Sequence, residues 1–365
     1  MKILYFAPIY YSDMKQRPQQ IADFLSEKHE IYYVEPTISF VRKLLKGGKS
    51  CAGEQVKIKN NLTVIRLNGY FTFHKSVEIL DILGINNFWE LLQLKKLIDE
   101  CDIIWVGYSG WYTVVRHIKN KHIIFDKMDE EDMLISSKLL KMTLRRNKQR
   151  LIKIAHTFIV TCQKFYDDLK TVGKPIYLIP NAVSDSFMEN IPKNEVSYEE
   201  IKRVKTIGYI GTISEWFDMD VINKLLTIDE EYEIVLVGRN CLPENENSRV
   251  RYLGIKENNE LPKIMQKFDV CLYNFKKSDL LDTINPVKIY EYLAANKPVL
   301  AVKSAETVPL KKYLMIYDDV NDIESIMREK IKKPFLNEEE RDRFVRENGW
   351  KTRTDEINKI LNTME

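Results

Sequence analysis

The chain has 365 residues, of which 44% are hydrophobic and 30% are charged. That length and composition describe a folded globular protein with room for two domains, and they exclude an intrinsically disordered chain. A formal net charge of +3 is too small to indicate a nucleic-acid partner, and no apolar run approaches the roughly 20 residues that span a bilayer.

Two features of the sequence predict a cytoplasmic protein. Residues 1–8 are too short for a signal peptide and contain no small-residue cleavage site, so we interpret them as a first buried strand. The five cysteines are widely scattered and form no C-x-x-C pair, which is typical of buried thiols in a reducing compartment.

The first half of the chain alternates between strand and helix patterns. Short apolar runs predict strands at 3–8, 31–34, 62–67, 103–106, 123–126, 158–161 and 176–179. Helices are predicted from Arg17 onward and over 89–99, 138–154 and 164–170. This alternation predicts an α/β domain, residues 1–185, with a mostly parallel sheet covered on both faces.

Two polar loops of this domain follow predicted strands, where open α/β sheets place their ligands. The loop at 10–16 contains no glycine, so the dinucleotide fingerprint G-x-G-x-x-G is absent. The turn at 126–132 holds five acids, among them Asp126 and Asp129. These acids could serve as proton acceptors, or they could simply favour the positive end of the helix that follows.

The predicted helix at 138–154 is strongly basic, with seven basic residues and no acid. Lys138, Lys141, Arg145 and Lys148 recur at helical steps beside an apolar stripe of leucines. Such a helix suits the surface of an anionic membrane, where each basic residue contributes about 1 kcal/mol. A solvated helix face over an ordinary core stripe is the alternative.

The composition changes after residue 183. Residues 186–204 are polar and acidic, and we interpret them as a linker. A second series of predicted strands follows at 206–210, 232–237, 250–254 and 270–275, with helices at 218–226 and 261–268. We therefore predict a second Rossmann-like domain over 205–335, and then a helical segment over 336–365.

The segment 285–301 is the most informative part of the sequence. Asn285 is a good N-cap, and Pro286 then occupies the first position of a helix that runs to about residue 295. Lys288 and Glu291 project from one face near the start of this helix. There the lysine and the free N–H groups favour a bound phosphate, and the glutamate carboxylate suits the hydroxyl groups of a sugar. A weak, exposed Lys288–Glu291 pair is the alternative.

This segment also carries a family resemblance. The pattern Asn-Pro-x-Lys-x-x-Glu-Tyr-Leu-Ala-x-x-Lys-Pro-Val at 285–299 resembles the nucleotide-binding segment of group 1 (family 4-like) glycosyltransferases of the GT-B fold, in particular a bacterial teichuronic-acid and capsule polysaccharide subgroup. Moderate matches lie at 208–212, 237–239 and 179–181. The resemblance implies two Rossmann-like domains facing across a cleft, with the C-terminal helix crossing back to the N-terminal domain.

The resemblance also assigns roles to residues. It implies that the second domain binds the donor through Asn285, Gly211 and Thr212, that Glu291 holds the ribose, and that Lys288 neutralises charge on the diphosphate. Where many members carry a further glutamate this chain has Thr283, and the arginine and lysine that usually follow Gly211 are replaced by 214–217, Ser-Glu-Trp-Phe.

With that clamp missing, Lys288, Arg239 or Lys276 and Lys277 must supply the positive charge, and a likeness to xanthan-type glucuronosyltransferases makes such a substitution acceptable. Family 4 members retain the anomeric configuration and the xanthan type inverts it, so the stereochemistry stays open. For an inverting transfer, Asp129 is the first candidate for the base and Asp126 the second.

The expectation is thus a metal-independent, cofactor-free glycosyltransferase. It would move a sugar from a nucleotide donor, a UDP-sugar by preference, to a cell-surface glycan or lipid-linked acceptor at the cytoplasmic face of an anionic membrane. Two alternatives remain: a GT-B-fold UDP-sugar epimerase, and a non-catalytic sugar-nucleotide-binding partner. Incubation with the donor alone distinguishes them.

Overall fold

A computed structural model gives the fold of residues 1–39, 53–69, 85–133, 135, 137–191, 204–329 and 336–364. The chain divides into a first unit, residues 1–179 and 354–365, and a second unit, residues 180–353. The chain therefore returns to the first unit at Thr354, within its last helix. Part of the predicted linker, 192–203, lies outside the described residues.

The first unit is built on an eight-stranded sheet. Its strands are β1 (Lys2–Phe6), β2 (Glu30–Val34), β4 (Gln55–Lys59), β5 (Leu62–Ile65), β7 (Ile103–Val106), β8 (His122–Lys127), β9 (Thr157–Val160) and β10 (Ile176–Leu178), while β3 (Ile38–Ser39) and β6 (Asn68–Gly69) form a separate pair. The order across the sheet is β10-β9-β8-β7-β1-β2-β5-β4, and only the edge strand β4 is antiparallel. The four residues of β7 and of β9 are all buried, as expected for strands covered on both faces.

The helices of the first unit follow their strands, as βα units require. They are α1 (Arg17–Leu25), α2 (Ile85–Glu100), α3 (Tyr112–Val115), α4 (Lys138–Ile154) and α5 (Gln163–Leu169). Helices α2, α3 and α4 share one apolar core with the strands, through buried leucines and valines such as Leu94, Val114 and Leu144. These three helices therefore cover the same face of the sheet.

The second unit is a six-stranded, fully parallel sheet. Its strands are β11 (Thr206–Ile210), β12 (Glu233–Val237), β13 (Val250–Tyr252), β14 (Val270–Tyr273), β15 (Val299–Val302) and β16 (Met315–Tyr317). The order is β13-β12-β11-β14-β15-β16, which is the doubly wound 3-2-1-4-5-6 arrangement of a Rossmann sheet. Its helices are α6 (Asp185–Glu189), α7 (Met219–Ile228), α8 (Leu261–Gln266), α9 (Val287–Ala294), α10 (Ile323–Glu329), α11 (Glu338–Glu347) and α12 (Trp350–Asn362), the last of which enters the first unit.

The structure differs from the sequence prediction at the start of α2 and in the C-terminal segment. Helix α2 begins at Ile85, four residues before its predicted start; the prediction missed its first turn because Asn86 and Asn87 interrupt the apolar pattern there, although both are buried. The segment 336–365 is two helices rather than one, and the break falls at Gly349, which pairs with Val183 in an isolated bridge.

A buried ion pair links the first helix of the first unit to the middle of its sheet. Arg17 donates from Nη2 to Asp126 Oδ1 at 3.0 Å and from Nε to both carboxylate oxygens, and its Nη1 donates to the Ile179 carbonyl at 2.9 Å. Both side chains are at most 4% exposed. The pair fixes α1 against the carboxyl ends of β8 and β10.

Replacing Arg17 by leucine is expected to lower the free energy of unfolding by about 3–5 kcal/mol, because the change leaves the Asp126 carboxylate buried and unpaired. Urea denaturation measures the effect. Arg251→Leu is the matched control, since the Arg251–Glu233 pair is more than half exposed and should contribute less than about 1 kcal/mol. Equal losses in the two variants would contradict the assignment, and adding Asp126→Asn to Arg17→Leu should restore part of the loss.

Candidate functional site

The topology of the second unit places its candidate site. In a 3-2-1-4-5-6 sheet the connections after the two central strands, here β11 and β14, leave in opposite directions, so a crevice opens beyond their carboxyl ends. The turn at Gly211 follows β11, and helix α9 lies in the connection that follows β14. The residues that the sequence singled out as donor-binding therefore lie at the edge of the sheet where ligands bind.

Two glycine turns lie against each other at this edge. A Cβ added to Gly238 would lie 2.1 Å from the Gly211 carbonyl oxygen, so only glycine fits there. The Gly211 N–H donates to the Val237 carbonyl, and the Ile213 N–H donates to the Arg239 carbonyl, both at 2.8 Å. The ends of β11 and β12 are thereby held together, and Thr212 between them is exposed.

Helix α9 is anchored to the end of β11 by a single buried hydroxyl. Tyr292 is fully buried, and its Oη accepts from the Ile210 N–H at 2.9 Å. Ile289 and Leu293 are also buried, so the opposite face of the helix carries Lys288 and Glu291. Lys288 Nζ lies 2.8 Å from Glu291 Oε2, and these side chains are 32% and 13% exposed.

The start of α9 differs from the prediction. The helix spans Val287–Ala294 with Pro286 at the cap position and no side-chain cap, so Asn285 is not the N-cap. The Asn285 side chain is engaged elsewhere: its Oδ1 accepts from the Asn181 N–H at 2.9 Å, and its Nδ2 donates to Glu306 Oε2 at 2.8 Å. Asn285 therefore connects the Pro-Asn segment after β10 to the loop after β15.

Glu306 is a residue that the sequence analysis missed. It brings a carboxylate to the start of α9, in a second unit where Thr283 stands at the position of a glutamate in many of the glycosyltransferases that the sequence resembles. The Thr283 hydroxyl is buried and donates to the Leu280 carbonyl at 2.7 Å, so it does not replace that carboxylate. The only signal in the sequence was the apolar run at 299–302, shortly before Glu306.

The cations at this edge fall into two groups. Lys277 and Lys303 both pair with Asp318, so their charge is offset within the second unit. Arg239 and Lys276 have exposed side chains, and each follows directly on a turn or strand end at the carboxyl edge. Lys288 is the third cation of this edge, and it pairs with Glu291 in the structure.

The first unit holds the second candidate site, in the acidic turn after β8. Asp126 lies inside β8 and is completely buried, with both carboxylate oxygens engaged by Arg17. A carboxylate in that position is a structural ion-pair partner and has no access to a substrate. We therefore exclude Asp126 from the candidate bases, for a reason that the local sequence could not show.

Asp129, by contrast, is exposed at the surface of the turn. Desolvation by the surrounding protein raises the pKa of its carboxyl group, against the opposing effect of Lys127 and Arg17. Lys127 is buried beside it, and desolvation lowers the pKa of its amine to about 8. Asp129 thus combines access to solvent with a basicity above that of an ordinary aspartate.

Glu131 is the strongest feature of the turn that the sequence did not single out. Its carboxylate accepts from the Ser109 N–H at 3.0 Å and from the Ser109 hydroxyl, at the end of the neighbouring strand β7. Burial raises the pKa of Glu131 to about 7, and Ser109 opposes that shift. A carboxyl group that titrates near neutrality is typical of functional sites, although ion-pair networks also produce it.

The remaining acids of the turn change the interpretation of the basic helix. Lys148 of α4 pairs with Glu130 and Asp132, and Arg145 pairs with Asp132. Lys148 is only 17% exposed, and desolvation lowers its pKa to about 8. The acidic turn therefore offsets the charge of Arg145 and Lys148, an arrangement that the sequence analysis had not expected. Of the four predicted membrane residues, only Lys138 and the half-buried Lys141 remain without such a counter-charge in the described structure.

Among the residues that the structure describes, no group of three or more histidine, cysteine, aspartate or glutamate side chains is arranged to hold a metal ion. No helix in the described ranges is long and apolar enough to cross a membrane.

Comparison with known proteins gives a distant relative in sequence. The chain is 22% identical over 330 residues to TuaH of Bacillus subtilis (strain 168), which is named, on provisional grounds, as a teichuronic acid biosynthesis glycosyltransferase. The match covers 82% of this chain and 79% of that protein. No family model matches the chain.

Solved structures resemble the whole chain. Sucrose-phosphate synthase from Thermosynechococcus elongatus is 12% identical, with a TM-score of 0.69 and coverage of 100% of this chain and 98% of that one. HepE of Anabaena, in complex with UDP and glucose, is 14% identical, with a TM-score of 0.64 and 99% of each chain covered. The UDP-forming trehalose-phosphate synthase of Burkholderia vietnamiensis is 10% identical, with a TM-score of 0.66 and 100% of each chain covered. These likenesses confirm the predicted GT-B fold.

The environment of Glu131 predicts a pH-dependent stability. Because folding raises its pKa from the ordinary 4.5 to about 7, the folded state holds a proton that the unfolded state releases, and stability falls as pH rises through that window. Glu131→Gln keeps the uncharged form at all pH values, so it should remove roughly 1–3 kcal/mol of this fall between pH 4.5 and 7.

Thermal denaturation of the wild type and of Glu131→Gln at several pH values measures the difference. The melting temperatures of the two proteins should approach each other at acid pH, and the variant should become the more stable protein near pH 7.5. Parallel pH profiles for the two proteins would show that the Glu131 carboxyl group is not perturbed by its surroundings.

Proposed function

We propose that this chain is a glycosyltransferase that transfers a sugar from a UDP-sugar to a glycan or lipid-linked acceptor in cell-surface polysaccharide synthesis. The observation that carries the proposal is the position of Lys288 and Glu291 on α9, at the switch point of a doubly wound sheet. Support comes from the teichuronic acid glycosyltransferase that the chain resembles in sequence and from the UDP complex of HepE, which shares its fold.

The donor is assigned to the second unit. Glu291 is the least exposed charged group of the α9 face and would accept hydrogen bonds from the ribose hydroxyls. Its 2.8 Å contact with Lys288 would then be exchanged for contacts with the nucleotide. Lys288, Arg239 and Lys276 would bind the diphosphate, and Gly211 and Thr212 would allow its close approach to the backbone.

The chemistry follows from those assignments. The bond between the anomeric carbon and the diphosphate oxygen breaks, and the positive charge of Lys288 stabilises the negative charge that develops on the leaving UDP. The acceptor hydroxyl oxygen forms the new bond to the anomeric carbon. In an inverting reaction its proton passes to Asp129, whose pKa is raised by desolvation in the direction that a general base requires. Because these residues supply the positive charge, we propose that the reaction needs neither a metal ion nor a cofactor.

The two competing functions make different predictions. An epimerase would convert the UDP-sugar with no acceptor present, and a non-catalytic partner would bind it without releasing UDP. The teichuronic acid relative is named as a glycosyltransferase, which favours transfer over both. The location proposed with this function is the cytoplasmic side of a membrane, where a lipid-linked acceptor would be available.

Separate substitutions on α9 should distinguish binding from catalysis. Glu291→Ala is expected to weaken UDP affinity in calorimetry with little change in melting temperature, because the ion pair that it breaks, with Lys288 on the same helix, contributes less than about 1 kcal/mol. Lys288→Ala should lower kcat more than it raises the donor KM, since the leaving-group charge is largest in the transition state.

Lys303→Ala is the matched control, because that lysine pairs with Asp318 and has no assigned role. Unchanged UDP affinity in Glu291→Ala would refute the ribose contact, and a pure KM effect in Lys288→Ala would limit that lysine to binding. Activity should persist in EDTA, and its loss there would contradict a mechanism based on lysine.

Asp129→Asn tests the proposed base. If the transfer inverts the anomeric centre, the variant should lose roughly 10²–10⁴-fold in kcat, the usual contribution of a positioned base, with UDP affinity unchanged. Transfer assays with a radiolabelled donor measure the loss. Asp102→Asn serves as a control on the amino-terminal side of the same sheet, where the Asp102 carboxylate accepts from the Lys2 N–H. Full activity of Asp129→Asn would indicate a retaining mechanism without that base.

A further inference from the structure

Helix α2 of the first unit presents a large apolar face to solvent. Phe88 is 63% exposed, Ile85 52%, Leu92 49% and Trp89 44%. Their spacing of i, i+3, i+4 and i+7 puts the four side chains within an arc of about 100° on one side of the helix. Few other described segments expose so many large apolar side chains together, and a contiguous patch of this kind indicates an interaction surface.

The opposite side of α2 shows that this exposure does not come from a misplaced helix. Asn87, Glu90, Leu94 and Leu97 are buried, and the two leucines belong to the core of the first unit. The Glu90 carboxylate accepts from the Thr37 hydroxyl and from Asn86 Nδ2. The helix is therefore fixed in its rotation by its inner face, and the apolar stripe must point away from the sheet.

The neighbouring helices extend this surface and give it a charge. Helix α3 contacts both α2 and α4, and all three pack on the same face of the sheet. The outward face of α4 carries the exposed apolar residues Leu139 and Met142. It also carries exposed basic residues, Lys138, Arg146, Arg150 and Lys153, and α4 contains no acid.

We propose that the outer surface of α2, α3 and α4 docks on an anionic lipid bilayer, with Ile85, Phe88, Trp89 and Leu92 inserted at the interface and the basic residues of α4 on the headgroups. Aromatic and aliphatic side chains beside lysine and arginine are the composition of helices that lie in a membrane interface. The apolar anchor is α2, and the attraction to anionic lipid comes from α4, through residues other than the Arg145 and Lys148 that the acidic turn neutralises.

The charge argues against a second copy of the chain as the occupant. A symmetric dimer through this surface would bring the basic outer faces of two α4 helices into one interface, and α4 contains no acid to pair with them. Like charges at an interface are strongly unfavourable. An anionic bilayer complements both properties of the surface.

The proposal rests on the proposed function only for its biological setting, a lipid-linked acceptor. The two are tested by independent signals, because UDP binding is assigned to the second unit and lipid binding to the first. A wild-type protein that binds UDP but not lipid refutes the docking surface alone. A wild-type protein that binds lipid but not UDP refutes the donor site alone.

The full-length protein should sediment with vesicles of equal parts phosphatidylglycerol and phosphatidylcholine, and much less with phosphatidylcholine alone. Phe88→Gln with Trp89→Gln should lower the partition coefficient by at least about tenfold, because it removes the two aromatic groups while keeping good helix formers. Leu253→Gln with Ile255→Gln is the matched control, since it removes two exposed apolar residues of the second unit. All variants should keep the wild-type circular dichroism and UDP stabilisation.

Tryptophan fluorescence tests insertion directly. Trp89 is the most exposed tryptophan in the structure, while Trp105, Trp111 and Trp350 are buried. Wild-type emission should therefore shift to shorter wavelength on adding the anionic vesicles. Trp89→Phe should still sediment with them but lose most of the shift, which a merely structural role of Trp89 would not produce.

Three outcomes would overturn the proposal. The first is equal vesicle binding by the wild type and the Phe88→Gln, Trp89→Gln variant, and the second is no binding by the wild type at low salt. The third is a wild-type dimer in analytical ultracentrifugation that dissociates in the double variant, without vesicle binding. That result would make the surface an interface between copies of the chain.

Discussion

The hydrogen bond between the Tyr292 hydroxyl and the Ile210 N–H positions the candidate donor site. It fixes α9 to the last residue of the first strand of a doubly wound sheet, at the point where the topology opens a crevice. The buried face of α9 fills the core, so packing turns the opposite face, with Lys288 and Glu291, away from the core. The hydrogen bond then fixes the position of that face relative to the end of β11, where the Gly211 turn begins.

The distribution of charge then separates structural from available groups. In the first unit Arg17 forms an ion pair with Asp126, and Lys148 forms ion pairs with the acidic turn. In the second unit Lys277 and Lys303 both form ion pairs with Asp318. Exposed positive charge remains at Arg239 and Lys276, close in sequence to the strand ends, and this is where a sheet of this topology binds an anion. A dispersed set of cations can thus replace the paired arginine and lysine that the chain lacks after Gly211.

Much of this could be predicted from the sequence, since strand and helix periodicity depends on neighbouring residues. Helix α4 and strand β11 have the bounds predicted for them, and the α/β class follows from the alternation. The missing information is long-range. In the local sequence Asp126 and Asp129 are equivalent candidates for a base. Only the ion pair of Asp126 with Arg17, 109 residues away, distinguishes them. The Ser109–Glu131 contact, the partners of Asn285 and the neutralisation of Lys148 likewise join residues from different elements, and no local pattern encodes them.

The central claim is that a UDP-sugar binds this protein and is its donor. The most direct measurement is a thermal-stability panel of nucleotide sugars on the purified full-length chain, followed by detection of released nucleotide for every ligand that stabilises it. A ligand at 100 times its Kd adds about 2.7 kcal/mol, which is a clear shift in melting temperature. We expect at least one UDP-sugar to stabilise the protein and to release UDP when an acceptor fraction is supplied. Stabilisation by no nucleotide diphosphate sugar, or binding without release of UDP under any acceptor condition, would contradict the account.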